Sequence, residues 1–252
     1  MARGQGAGMI AVRPLTERED LKSVVRLQRQ IWGFEDVDLI PLRLFVVASK
    51  IGGQVYGAFD GAQLIGFCMA IPGLKPGGKT YLHSHMLGVL PEYRNTGVGR
   101  TLKLTQRDDA MSRGIDLIEW TFDPLELKNA FFNMERLGAI VRRYVPNQYG
   151  TTSSPLHGGL PTDRCIAEWW ISSPRVKAIL DGKRFESGPV EARVSIASDI
   201  ATIRANDSAC ARAIQQKASE HFRAAFDRGL AVIGFEKSEQ AGTYLLGKWE
   251  SA

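Results

Sequence analysis

The fold of this chain is decided by a segment at residues 83–114, which reads HSHMLGVLPEYRNTGVGRTLKLTQRDDAMSRG. It begins with an apolar run of strand character, Met86 to Val89, and Pro91 ends that run. Good helix formers follow Gly99 and continue to Gly114. A strand, a glycine-bearing turn and a helix, in that order, aim several backbone N–H groups and the positive end of a helix dipole at one point. The segment therefore predicts a phosphate-binding turn.

Three known kinds of phosphate-binding loop are candidates for this turn. The nucleoside triphosphate loop needs Gly-Lys-Ser/Thr, whereas Gly99 is followed by Arg100 and Thr101. The dinucleotide fingerprint needs a third glycine where the chain has Leu102. The remaining pattern is Arg/Gln-x-x-Gly-x-Gly/Ala after a strand with Leu-x-Val-x-Pro, and residues 87–99 match it. In such a turn a side chain in place of either glycine would hold a phosphate away from the backbone.

This pattern resembles the acyl-CoA pyrophosphate loop of the GNAT superfamily of N-acyltransferases. A second motif of that family, NAFFNMERLGA at residues 129–139, follows in the expected order and at the expected separation. The resemblance covers about residues 9–172. It implies an α/β (α+β) fold with a mixed sheet, in which the strands at 80–89 and 115–122 splay apart and admit the pantetheine arm of CoA.

The resemblance also implies the co-substrate, acetyl-CoA or another acyl-CoA, without a metal. It assigns the cofactor contacts to the strand end and the turn: Leu87, Gly88, Val89, Arg94, Asn95, Thr96, Gly97, Val98, Gly99 and Arg100. Asn129 and Asn133 of the second motif are further candidate contacts for CoA, because an amide offers both a hydrogen-bond donor and an acceptor, although the family usually has an apolar residue at position 133.

At the catalytic positions that the resemblance implies, the chain departs from the family's usual residues. A backbone N–H at Leu87 or a neighbour polarises the thioester carbonyl. Many relatives place a carboxylate base two residues before this Leu, where the chain has His85, and Glu119 on the next strand is the reserve. Met134 stands where relatives commonly have a Tyr that acts as the general acid. Either the thiolate leaves without a dedicated acid, or Tyr144 or Tyr149 supplies the proton.

Acceptor recognition is assigned to His83, Arg142 and His157. His83 and His85 share one face of a strand by alternation, with Ser84 and Met86 on the other face. By the same alternation only one of Arg142 and Arg143 faces the acceptor, where a guanidinium suits a carboxylate. The connection at 145–164 is expected to be a lid.

The expected function is therefore transfer of an acetyl, or another short acyl group such as succinyl, to the amine of a small molecule, with an amino acid as one candidate. The transfer is direct, because no cysteine lies in either motif. The alternative is a catalytically degenerate CoA sensor or regulatory module, since the acidic Tyr is missing.

The composition of the chain argues against several other classes of protein. The chain has 252 residues, 44% of them hydrophobic, and a net charge of +5. No apolar run reaches the roughly 18 residues of a membrane span, so a cytoplasmic protein without a membrane partner is expected. Basic residues are scattered, which disfavours nucleic acid. The three cysteines lie far apart and are expected to be reduced and buried, without a disulfide or zinc.

The predicted organisation has three parts: a disordered leader at 1–8, a GNAT-like acyl-CoA-binding domain at 9–174, and a strand-helix-strand-strand extension at 175–252. Thr16 and Glu19 predict a capping box for the first helix, and Asp60-Gly61 predicts a hairpin. In the extension one long helix is predicted at 199–228. The extension packs on the acyltransferase sheet or builds a homodimer contact.

Overall fold

The structure is a computed structural model, and it describes residues 10–150 and 159–249. The described residues form two compact units that divide after Ile115. Unit 1 comprises residues 10–115 and unit 2 comprises residues 116–249. Helices and strands occur in both units, which confirms the predicted α/β class.

Unit 1 is an antiparallel sheet with three α-helices. Its strands, in the sheet order β1-β2-β3-β4, are β1 (Ala11–Pro14), β2 (Gln54–Asp60), β3 (Gln63–Leu74) and β4 (Thr80–Val89). Its helices are α1 (Arg18–Trp32), α2 (Leu42–Lys50) and α3 (Val98–Ser112).

Helix α1 buries one stripe of apolar side chains, as its spacing predicts, and Gly33 ends it in the left-handed conformation with φ 64°. The predicted capping box is wrong. The helix begins at Arg18, no side chain caps its first turn, and the carboxylate of Glu19 contacts Lys22 Nζ at 2.6 Å instead. The predicted hairpin is confirmed, because Asp60 pairs with Gln63 across a turn that begins at Gly61.

The strands of unit 2 pair antiparallel, in the order β5-β7-β6-β9-β10-β8. Its elements are β5 (Leu117–Phe122), α4 (Leu127–Phe131) running into a π-helical turn (Phe132–Arg136), β6 (Ile140–Val145), β7 (Arg164–Trp170), α5 (Pro174–Leu180), β8 (Ala192–Ala197), α6 (Ile200–Asn206), α7 (Ser208–Asp227), β9 (Leu230–Lys237) and β10 (Ala241–Lys248).

The prediction of one long helix at 199–228 is wrong, because the chain breaks at Asp207. This residue has non-helical φ and ψ of −141° and 86°, and its carboxylate accepts the N–H of Cys210 at 2.9 Å, which caps the start of α7. Cys210 is exposed, contrary to expectation, whereas Cys68 and Cys165 are buried. Helix α5 was not predicted, although Ser173 caps it and Pro174 occupies its first position.

The residues after 174 share the interior of unit 2 with those before. Val232 of β9 pairs with Val141 of β6, and the buried Tyr244 donates to the carbonyl of Pro124 at 2.6 Å. Packing on the sheet is therefore observed. The homodimer contact stays a prediction, and so does the division into a GNAT-like domain and an extension. The leader at 1–8 lies outside the described residues.

Candidate functional site

The predicted phosphate turn precedes α3 in unit 1. Gly97 is left-handed with φ 96°, and a Cβ placed on it would meet no atom within 4 Å. A Cβ on Gly99 would be in ordinary contact, 3.9 Å from Leu87 Cδ2 and Val89 Cγ2. Gly99 is therefore not required for packing inside this unit. The first N–H groups of an α-helix have no acceptor within the helix, so the start of α3 is suited to binding an anion.

Side chains around the turn hold it in place. Arg94 donates to the carbonyls of Ile31 and Val89, each at 3.3 Å, and Thr96 Oγ1 donates to Tyr93 O at 2.7 Å. The Tyr93 hydroxyl donates to Asp60 Oδ2 at 2.9 Å. The guanidinium predicted to bind CoA thus braces the turn against α1 and β4.

Strand β4 has a bulge at His85. Ser84 pairs with Ala70 and Met86 with Met69, so His85 is the extra residue. Ser84 faces α3, because its hydroxyl donates to Gln106 at 2.9 Å. Past the bulge Leu87 also faces α3, beside Gly99, and Met86 consequently points away from α3. The prediction that Ser84 and Met86 share a face is therefore wrong.

The two histidines of β4 lie together, with ring centroids 5.9 Å apart. Burial, with smaller contributions from His85, Lys103 and Lys75, lowers the pKa of His83 to about 4. Burial also lowers the pKa of His85, although part of that residue stays exposed. Both rings are consequently neutral at physiological pH, and a neutral imidazole can accept a proton.

A buried lysine next to β4 was missed by sequence analysis. Lys103 on α3 is only 2% exposed, and its Nζ lies 3.0 Å from Ser84 Oγ and 3.3 Å from Gln106 Oε1. Burial lowers its pKa to about 7. The signal was its position, because Lys103, Gln106 and Ala110 follow helical spacing on a buried stripe.

In unit 2 both arginines of β6 lie on one face. Arg142 contacts Glu168 Oε2 at 2.5 Å, and Arg143 contacts Glu119 and, at 3.6 Å, Glu168 Oε1. Arg142 is a bulge residue, because Val141 pairs with Ala167 and Arg143 with Ile166. The prediction that only one arginine can face the acceptor side is therefore wrong. Each side chain keeps about two-fifths of its surface exposed, 39% and 43%, while the two carboxylates are buried.

The candidate acids differ in their surroundings. Met134 is fully buried. The Tyr144 hydroxyl donates to Asp163 at 2.6 Å, and burial together with this carboxylate raises its pKa far above the usual value. The Tyr149 hydroxyl pairs with Thr121 Oγ1 at 2.9 Å, and this residue is 45% exposed. Of the two tyrosines, Tyr149 is the more accessible to a ligand.

The two asparagines of the second motif also differ. Asn129 is exposed, whereas Asn133 is only 4% exposed in the π-helical turn. The Nδ2 atom of Asn133 has no hydrogen-bond partner among the described residues. A buried amide donor without a partner is costly, which favours a ligand or water there.

The two described ends of the predicted lid are joined. Thr162 bonds to both Asn147 and Tyr149, and Asp163 accepts the N–H of Asn147 at 2.9 Å. Residues 151–158, with His157, lie outside the described residues, so the lid and this substrate contact stay predictions.

In the described part of the chain no cluster of His, Cys, Asp or Glu is arranged to hold a metal. None of the described helices is both long and apolar enough to cross a bilayer. The cytoplasmic location stays a prediction.

Comparisons with solved structures identify similar folds. Arabidopsis thaliana NAA60 in complex with acetyl-CoA has a TM-score of 0.54 and 18% identity, over 66% of this chain and 100% of that one. The ribosomal-protein-S18-alanine N-acetyltransferase from Escherichia coli has a TM-score of 0.51 and 18% identity, over 66% and 96%. The yncA protein from Salmonella typhimurium, with acetyl-CoA, has a TM-score of 0.52 and 15% identity, over 66% and 97%.

Less than one fifth of the aligned residues are identical in each case, so these structural similarities establish a shared fold. A search of curated proteins finds no significant match. The sequence model of the Acetyltransferase (GNAT) family matches residues 21–138, a range that includes β4, the predicted phosphate turn and all but the last residue of the second motif. Residues 21–138 are therefore similar to the Acetyltransferase (GNAT) family, and the chain has a GNAT-like fold.

Proposed function

We propose that this protein is an acyl-CoA-dependent N-acyltransferase, which moves an acetyl or other short acyl group directly to the amine of a small molecule. The observation that carries the proposal is the turn before α3, where neither Gly97 nor Gly99 is required by the packing around it, since a Cβ on Gly97 would meet no atom within 4 Å and one on Gly99 would meet its nearest atoms at 3.9 Å. The match to an acetyltransferase family over the same residues supports it.

CoA fits the chemistry of this turn. Its diphosphate needs N–H donors and positive potential, and the first turn of α3 supplies both. The packing around Gly99 leaves room for a Cβ, so internal packing does not explain why this residue is glycine. Close approach of a diphosphate to the backbone would explain it. The neighbouring Leu87 and Val89 face Gly99, so β4 passes directly beside the diphosphate site. A thioester carried by CoA would be polarised by a backbone N–H of this stretch of β4.

His85 is the proposed general base. Because its ring is neutral, it can take a proton from the acceptor ammonium, directly or through a water. The free amine then attacks the thioester carbon and the carbon–sulfur bond breaks. The attacking nitrogen gives up its second proton to leave a neutral amide, and the departing CoA thiolate takes up one proton, directly or through water. Glu119 is less suited to the role, since its carboxylate is buried and contacts the Arg143 guanidinium.

The acceptor is proposed to be an amine that also bears a carboxylate, such as an amino acid. The support is the convergence of Arg142 and Arg143, whose guanidinium groups suit a carboxylate and whose side chains are about two-fifths exposed, beside the buried carboxylates of Glu119 and Glu168. An acceptor that carries both an ammonium and a carboxylate matches such a cluster. His83 is proposed to contact the acceptor together with His85.

A CoA-binding sensor is the second candidate, favoured by the buried Met134 in place of the family's acid. Two measurements separate the functions. Both candidates should bind CoA in calorimetry, but only the enzyme should release free thiol from acetyl-CoA with a panel of amino acids and simple amines. Binding without thiol release supports the sensor, and absence of CoA binding refutes both.

A further inference from the structure

Trp32, the last residue of α1, lies directly against Gly88 in the middle of the proposed thioester-binding stretch of β4. A Cβ placed on Gly88 would come within 2.6 Å of Trp32 Cη2 and 2.8 Å of Ile31 Cδ1. Contacts that short do not occur, so only glycine permits the indole to approach the strand backbone. The close approach therefore fixes an apolar wall over this stretch.

The indole is held from other sides as well. It stacks on Phe34 with ring centroids 5.5 Å apart and meets Phe67 edge-on at 5.8 Å. Gly33, between the two stacked residues, turns the chain with φ 64°. Displacing a ring that is packed on three sides costs free energy, because packed interiors tolerate added volume poorly.

The wall lies next to the place where the acyl group must be. Gly88 sits between Leu87 and Val89, which face the phosphate turn at Gly99. A carbonyl that accepts an N–H from this stretch lies about 3 Å from the backbone. The substituent on that carbonyl carbon is then within reach of the indole edge, on the face of β4 that Gly88 shares with α1.

We propose that Trp32 sets the length of the acyl group, and that it selects acetyl over longer and charged acyl groups. This inference rests on the proposed function and deepens it. A longer chain would have to displace the packed ring. A succinyl group would also bring a carboxylate against the carbon atoms of Trp32 and Ile31, where its lost hydration is not replaced.

Calorimetry and kinetics on the full chain test this with CoA, acetyl-CoA, butyryl-CoA and succinyl-CoA, for the wild type, Trp32→Ala and Trp32→Phe. In the wild type we expect kcat/KM to fall about 10-fold or more from acetyl to butyryl. Trp32→Ala should shrink this ratio to about threefold or less, with Trp32→Phe between them. The affinity for CoA itself should stay unchanged, because CoA lacks the acyl group.

The matched control is Phe226→Ala, which removes a half-buried aromatic ring from α7 in unit 2. It should keep the wild-type ratio. An unchanged ratio in a folded Trp32→Ala or Trp32→Phe variant overturns the inference, and so does a wild type without acyl preference. If no CoA species binds the wild type, the proposed function itself fails. If the acyl-CoAs bind without turnover, their relative affinities in the same variants decide the inference.

Discussion

The amine of Lys103 lies 3.0 Å from the hydroxyl of Ser84, in the interior of unit 1. This contact joins α3, whose first turn is the proposed diphosphate site, to β4 immediately before the bulge at His85. Few lysines are buried, because the ammonium loses its hydration. Lys103 therefore makes stability depend on pH.

The first prediction concerns Lys103→Met. Burial lowers the lysine pKa from 10.5 to about 7, so the unfolded chain binds more protons than the folded chain between these values. Wild-type stability should then rise with pH from about 7 to about 10 relative to the variant, which lacks this group. Thermal melts across that range measure the difference. Lys217→Met, which removes an exposed lysine of α7, should follow the wild type. Parallel curves for wild type and Lys103→Met would refute the prediction.

The second prediction separates stability from binding at Gly99. Asp near the start of a helix stabilises it by about 0.3–1 kcal/mol, so Gly99→Asp should unfold at an equal or higher temperature than wild type. The same carboxylate repels a diphosphate, and CoA affinity should fall at least about 10-fold. Calorimetry and thermal melts give both quantities.

Gly99→Asn and Gly99→Ala are the matched controls for that charge. Asn has nearly the shape of Asp without its charge, and it should bind CoA better than Asp by a margin that shrinks at high salt. Ala should bind best of the three, since its Cβ has room. Equal CoA affinity in all three variants would show that no diphosphate sits there.

The third prediction concerns His85. Because burial lowers its pKa below the usual 6.5, the base form predominates above that value, and the rate should rise with pH through a midpoint below 6.5. His85→Ala should lose about 10²-fold in kcat and also lose this limb, while CoA still binds. His221→Ala, an exposed histidine of α7, is the control. A pH–rate profile of unchanged shape in His85→Ala would exclude the imidazole as the base.

The fourth prediction concerns the ion pair between Arg143 and Glu119. Removing the guanidinium leaves a buried carboxylate with less compensation, so Glu119→Gln should rescue part of the stability that Arg143→Met loses. Urea unfolding of both single variants and the double variant should give a coupling of about 1 kcal/mol. The more exposed pair Arg13–Asp20 is the control cycle, expected to couple by less than about 0.5 kcal/mol. Strictly additive effects at Arg143 and Glu119 would contradict the prediction.

Sequence alone determined those features whose physical cause is local. The phosphate turn follows from Gly97, which tolerates positive φ, and from the helix formers after Gly99. The end of α1 at Gly33 and the hairpin at Gly61 follow for the same reason. The break at Asp207 was also local, and its signal, a capping carboxylate, was overlooked.

Only the tertiary structure decided features that depend on a partner strand or on packing. Whether a residue forms a bulge depends on the register of the neighbouring strand, so the sequence of β4 or β6 alone could not reveal the bulges at His85 and Arg142. Each bulge reverses the alternation beyond it, and this shift brings Arg142 and Arg143 to one carboxylate. The contact of Trp32 with Gly88 likewise joins residues far apart in sequence, whose meeting is set by how α1 packs on the sheet.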